Sequence, residues 1–196
     1  MIRTVLGGLL GGFAMYVIGF LFWGTPLSAI AYNHADGQSS ANLQAAMAQA
    51  LSPSGTGVYI VPNPATADGT ILYGKGPVGL LFYNSTGFPV TDSTSLIGGL
   101  ILALVVGLLI AFALRLVAAD FGTRARVALL IALVAILWLH IGQAIFNHAP
   151  WGYILYLAFS DFVGLSAAGL IAAKLMGDRP EAQSAPPVHE APPGGY

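Results

Sequence analysis

His140, Gln143 and Asp161 stand inside two long apolar runs that meet at the turn Asn147-His148-Ala149-Pro150. In a chain of 196 residues with only 8% charged and 56% hydrophobic side chains, they are the costliest residues to bury and the first place to look for chemistry. A carboxylate at the centre of a bilayer costs at least about 2.5–3.5 kcal/mol even on a lenient insertion scale. Asp161 therefore needs a partner or must stay protonated. Two uses follow from those residue types. His140 and Asp161 can form a proton-carrying pair, Asp161 as the acid and His140 as the relay. They can equally hydrogen-bond between helices and fix the bundle, a contact worth on average about 0.6 kcal/mol in one tested membrane protein. Metal ligation is the weakest reading. His140, Asp161 and His148 lack the i, i+3 or i, i+4 spacing of helix-borne sites, and the chain has no cysteine. No metal ligand and no cofactor is expected.

Helical periodicity of about 100° per residue places the neighbours of these groups. His140, Gln143 and Asn147 form one stripe on the helix before the turn, with Val134, Trp138, Ile141 and Ile145 opposite. On the helix after the turn, Tyr153, Ser160, Gly164 and Ala168 share an arc, with Tyr156 and Asp161 at its edges. At about 1.5 Å per residue, His140 lies roughly one helical turn nearer the connecting loop than Asp161. That count predicts a graded polar stripe with Asp161 at its deep end, and not one compact site. Ser160 and Asp161 diverge by about 100° as helix neighbours and cannot act on one another.

The elements that carry these residues follow from composition. A soluble domain has about 25% charged residues. The mean hydropathy of +0.77 and the low charge predict an α-helical integral membrane protein. The net charge of −1 and the lack of a basic, aromatic-interleaved patch point away from nucleic acid. Four apolar runs match the roughly 20 residues needed to cross a bilayer: 4–23, 96–118, 127–146 and 151–175. The first is longer than a signal-peptide core and ends in Trp23, so it reads as a retained anchor. Gly8, Gly12 and Gly19 fall on one of its faces, with Gly11 beside them, and predict a close helix-packing seam. Gly164 and Ala168 supply small residues for the same purpose on the last span. Residues 176–196 are Pro-rich and polar and predict a disordered tail.

Residues 24–95 read as a small α+β insertion between the first two spans. Ser39-Ser40 offer capping hydroxyls before a helix over 41–51. Val58-Tyr59-Ile60-Val61, Thr70-Ile71-Leu72-Tyr73 and Val78-Gly79-Leu80-Leu81-Phe82-Tyr83 read as strands. Gly74-Lys75-Gly76-Pro77 lacks the helix-leading pattern of a phosphate loop and reads as a tight hairpin connection.

Six of the seven Lys and Arg residues lie at one set of span ends: Arg3, Arg115, Arg124, Arg126, Lys174 and Arg179. Only Lys75 lies in the insertion. The positive-inside rule then puts both termini in the cytoplasm and 24–95 outside.

The anchor, the insertion with Gly57-Val58-Tyr59-Ile60-Val61-Pro62 and Gly76-Pro77-Val78-Gly79-Leu80-Leu81-Phe82-Tyr83, and the three following spans resemble an uncharacterised family of small bacterial four-helix inner-membrane proteins with an external domain after the first helix. The resemblance implies a bacterial inner membrane, and hence a periplasmic insertion. It carries over no catalytic residue. The chain has no Gly-x-Ser-x-Gly, no His-Glu-x-x-His and no glycine-rich dinucleotide loop. The expectation is a non-enzymatic accessory or structural subunit that packs in the lipid bilayer against other membrane proteins or itself. The alternative is a small transporter or proton-conducting module using Asp161 and His140.

Overall fold

The computed structural model describes residues 1–117 and 119–177. The tail expected over 176–196 therefore lies almost wholly outside the described residues. The chain is mostly helical. Four helices are long and apolar enough to cross a membrane. These are α1 (Ile2–Trp23), α4 (Ser93–Leu116), the run Phe121–Phe146, and α7 (Trp151–Met176). Between α1 and α4 lie α2 (Gly37–Leu51), β1 (Gly57–Val61), α3 (Ala67–Lys75) and β2 (Gly79–Tyr83). The third long run is composite: α5 (Phe121–Ile136), a π-helical turn (Leu137–Ile141) and α6 (Gly142–Phe146).

The bundle is organised around α1, which lies between α4 and α7. Helices of this length and apolarity associate through close backbone packing where lipid surrounds them. Four α1 glycines provide it through two seams. Gly7 and Gly11 pack on Ala172 and Ala168 of α7, and Gly8 and Gly12 on Gly107, Leu108 and Ala103 of α4. A Cβ on Gly11 would stand 2.5 Å from the Ala168 carbonyl oxygen. The seam expectation is thus met at Gly8, Gly12 and Ala168 and fails at Gly19, which has nothing within 4 Å of its Cβ position. Gly19 shares the face but not the height. From Met15 upward the space beside α1 is taken by large side chains, with Met15 against Gly164, Tyr16 near Gly99, and Phe22 and Trp23 among aromatic rings of α7. Gly164 contributes by leaving room for Met15, whose Cγ would stand 3.2 Å from a Cβ at that position.

At the opposite end Ala111, Leu114, Ala128, Ala172 and Ala173 form the buried core. Arg124 is 2% exposed there. Its Nε donates to the Val117 carbonyl at 3.2 Å and its Nη1 to the Gly177 carbonyl at 2.5 Å. These are carbonyls at helix C-termini that have no intrahelical donor. The arginine ties the α4–α5 turn to the end of α7.

Several boundaries differ from those expected. α5 begins at Phe121, within the stretch expected as a loop, because Asp120 caps it by accepting from the Thr123 N–H. α2 begins at Gly37, capped by Asp36, and Ser39 is the cap's partner instead of the cap itself. Thr70-Ile71-Leu72-Tyr73 is helix, not strand. Thr66 accepts from the Gly69 N–H at 3.0 Å, Asp68 stands in the first turn and Lys75 in the last, and these end signals override β-branched propensity. Gly74-Lys75-Gly76-Pro77 is accordingly no hairpin turn. It closes α3, with Gly76 at φ +69. β1 and β2 still pair antiparallel, Val58 opposite Phe82 and Ile60 opposite Leu80, but α3 connects them.

Candidate functional site

The polar residues singled out by sequence separate into two groups on the two sides of α7. The first faces the π turn. His140 Nε2 lies 2.8 Å from Asp161 Oδ2, the one ion pair among the described residues. The His140 side chain is 17% exposed and that of Asp161 43%. This corrects the expectation that the two are staggered by a turn and form no compact site. Cα–Cβ bonds lean toward a helix N-terminus. Because the α5–α6 run and α7 are antiparallel, His140 leans away from the connecting loop while Asp161 leans toward it. The two side chains close an axial offset that residue counting leaves open.

His140 also sits within the π turn. Such a turn accommodates an extra residue in the helix and is frequent at functional sites. It breaks the single stripe expected for His140, Gln143 and Asn147. Gln143 and Asn147 turn to each other, the Asn147 Nδ2 donating to Gln143 Oε1 at 2.5 Å. The chain then reverses through His148, a non-glycine residue at φ +51, and the N–H groups of Asn147 and Ala149 both donate to the Gln143 carbonyl.

The second group faces α1. Trp23 Nε1 donates to Ser160 Oγ at 3.1 Å, and Ser160 Oγ donates to the Leu157 carbonyl at 2.9 Å. The Tyr156 hydroxyl donates to the Phe22 carbonyl at 2.8 Å. Trp23 makes edge-to-face contacts with Tyr32, Tyr153 and Tyr156. Trp23 and Tyr32 were not foreseen as partners of this group. An interfacial tryptophan at the end of a span was the available signal. His140, Ser160 and Asp161 therefore do not converge, since the Ser160 hydroxyl is turned away from the pair.

A cavity of about 890 Å³ lies beside Gln143 and Asn147, and neither His140 nor Asp161 lines it. Its floor is the tip of α6 and the start of α7, including Gln143, Asn147, His148 and Tyr153. Its roof is the apolar face of the β1–β2 ribbon, Ile60, Leu80 and Phe82. Leu157, one turn from Asp161, also lines it. Chemically, the pair can hold one proton between a carboxylate and an imidazole. The cavity offers hydrogen-bonding groups at its floor and apolar surface above. Among the described residues no three His, Asp or Glu side chains are close enough to hold a metal ion. No family model matches the chain, and comparison with curated proteins and with solved structures finds no similar one.

Proposed function

We propose that the chain is a four-span protein of the bacterial inner membrane, termini cytoplasmic and insertion periplasmic, acting without catalysis as an accessory or structural subunit. It packs in the lipid bilayer against other membrane proteins or a second copy of itself. The observation that carries this is the unfinished state of the insertion. Across 24–95 only Gly69 is buried, while Val58, Ile60, Leu80 and Phe82 form one apolar face, with Phe82 82% exposed. A lone two-stranded ribbon is marginal in water, and a contiguous exposed apolar patch marks an interaction surface. The concentration of Lys and Arg at the other end supports the orientation. The test is photo-crosslinking in native membranes from position 82, with position 138 on the lipid-facing side as the control. One discrete protein adduct from position 82 is expected. No adduct there, together with a purified monomer of undiminished thermal stability, would overturn the proposal.

A second reading rests on a separate observation, the 2.8 Å His140–Asp161 contact. In it the chain conducts or couples protons through that pair. Proton flux into proteoliposomes should then fall to background in Asp161→Asn. Flux that persists in this variant removes the idea.

A further inference from the structure

At the end of the bundle away from the insertion, Arg3, Arg115 and Arg124 line one cleft of about 470 Å³, together with Thr4 and Met176. Arg124 is the informative member. Its guanidinium is buried, and its hydrogen bonds among the described residues go to two neutral carbonyls. Buried charges are normally paired with a counter-charge. Among the described residues no acidic side chain lines this cleft, and the one ion pair is elsewhere, at His140 and Asp161. Arg115 turns its guanidinium to the Met1 sulfur, a neutral partner. Arg3 is exposed at the rim, near Gly177. Three arginines thus line one open volume that has no carboxylate among its described lining residues. Arginine forks match phosphate oxygens in pairs.

The surroundings of the cleft select the source of that phosphate. Ile2, Leu6 and Leu116 flank the arginines and are 77%, 51% and 87% exposed. A basic pocket with apolar flanks at the ends of membrane-length helices is complementary to an amphiphile, its phosphate inside and its chains alongside. We infer that this cleft binds the headgroup of an anionic phospholipid of the cytoplasmic leaflet, with Arg3, Arg115 and Arg124 on the phosphate and Ile2, Leu6 and Leu116 against the acyl chains. The inference rests on the bilayer-spanning, arginines-inside reading proposed above.

The test uses the full chain in phosphatidylcholine vesicles or nanodiscs, with or without a minor fraction of cardiolipin or phosphatidylglycerol. Retained lipid is read by native mass spectrometry. The wild type is expected to retain anionic lipid preferentially. Arg3→Gln with Arg115→Gln should lower retention roughly 25-fold, at about fivefold for each cation near a membrane surface. Arg126→Gln with Lys174→Gln removes equal charge at the same end outside the cleft and should lower retention clearly less than the cleft pair, since neither side chain lines the cleft. Millimolar inorganic phosphate should not displace the lipid. An equal loss in both double variants would reduce the effect to bulk charge and overturn the site. Displacement by phosphate would make it a simple anion site, and retention only after removal of residues 178–196 would assign the cleft to the chain's own tail. Either result overturns the inference. Failure of the chain to float with vesicles of any composition would overturn the bilayer reading itself, and the inference with it.

Discussion

Trp23 and Ser160 join α1 to α7 through an indole N–H donated to a hydroxyl at 3.1 Å, toward the end of the bundle opposite the Gly7–Ala172 backbone contact. The two helices are thus held by different physics at their two ends: small-residue packing at one, polar and aromatic contacts at the other. Trp23→Phe keeps an aromatic ring and loses the donor. It should cost about 0.6–1.7 kcal/mol, the range of interhelical polar contacts in a membrane protein. Ser160→Ala should cost a similar amount, and the double variant little more than either single one. Equilibrium unfolding in mixed micelles measures all three. Full additivity would mean that the bond contributes nothing.

The glycine seam makes a contrast within one helix. Gly11→Val forces a side chain against the Ala168 backbone, where even a Cβ would come within 2.5 Å of a carbonyl oxygen. Overpacking of this kind costs about 1–3 kcal/mol. Gly19→Ala meets open space and should stay within about 0.5 kcal/mol of the parent. Thermal denaturation of the two variants side by side tests the assignment. Equal effects would show that the contacts at Gly11 are not special.

His140 and Asp161 should couple in a double-mutant cycle. The variants His140→Ala and Asp161→Ala are expected to show a coupling of about 0.6–1.7 kcal/mol. His140→Ala and Ser160→Ala should show less than about 0.3 kcal/mol, as for sites without a shared partner. A large coupling between His140 and Ser160 would contradict their separation on the two sides of α7.

Acid should loosen the helix starts that are capped by aspartates lying outside the membrane-length segments. Hydrogen bonding holds the Asp36 carboxyl below its ordinary value of 3.8, first from the Ser39 hydroxyl and then from the Ser39 N–H. Asp92 is lowered chiefly by the Ser95 hydroxyl, and Asp120 chiefly by the Thr123 N–H. A depressed folded-state value stabilises the helix start above the ordinary value, and this is lost as pH falls through the depressed one. Carbon-detected NMR titration should place Asp36 below free aspartate, and Ser39→Ala should raise it. Asp36→Asn keeps a capping oxygen and should remove that part of the acid dependence of α2 helicity. An unchanged pH profile in Asp36→Asn would show that the cap does not govern it.

Much of the fold is legible in the order of residues because its largest signal is local. A run of about 20 apolar residues declares a membrane-length helix whatever it packs against. α1, α4 and α7 accordingly fall within a few residues of their expected bounds. The insertion was harder to read. Thr70-Ile71-Leu72-Tyr73 has strand composition, and its helix depends on Thr66 and Gly76 at the two ends.

Residue identity alone determined that His140, Gln143 and Asp161 are the expensive groups, that arginine gathers at one end, and that α1 carries a packing face of glycine. Only the tertiary structure decided which of them meet. The antiparallel lean of two side chains brings His140 to Asp161, a π turn separates His140 from Gln143 and Asn147, and Gly19 stands beyond the height of the seam. Arg124 changes from a topology marker to a buried tie between Val117 and Gly177. The reason is common to all four cases. Periodicity specifies direction around a single helix axis, whereas contact depends on the height, tilt and side-chain size of the neighbouring helix, which no residue spacing within one helix contains.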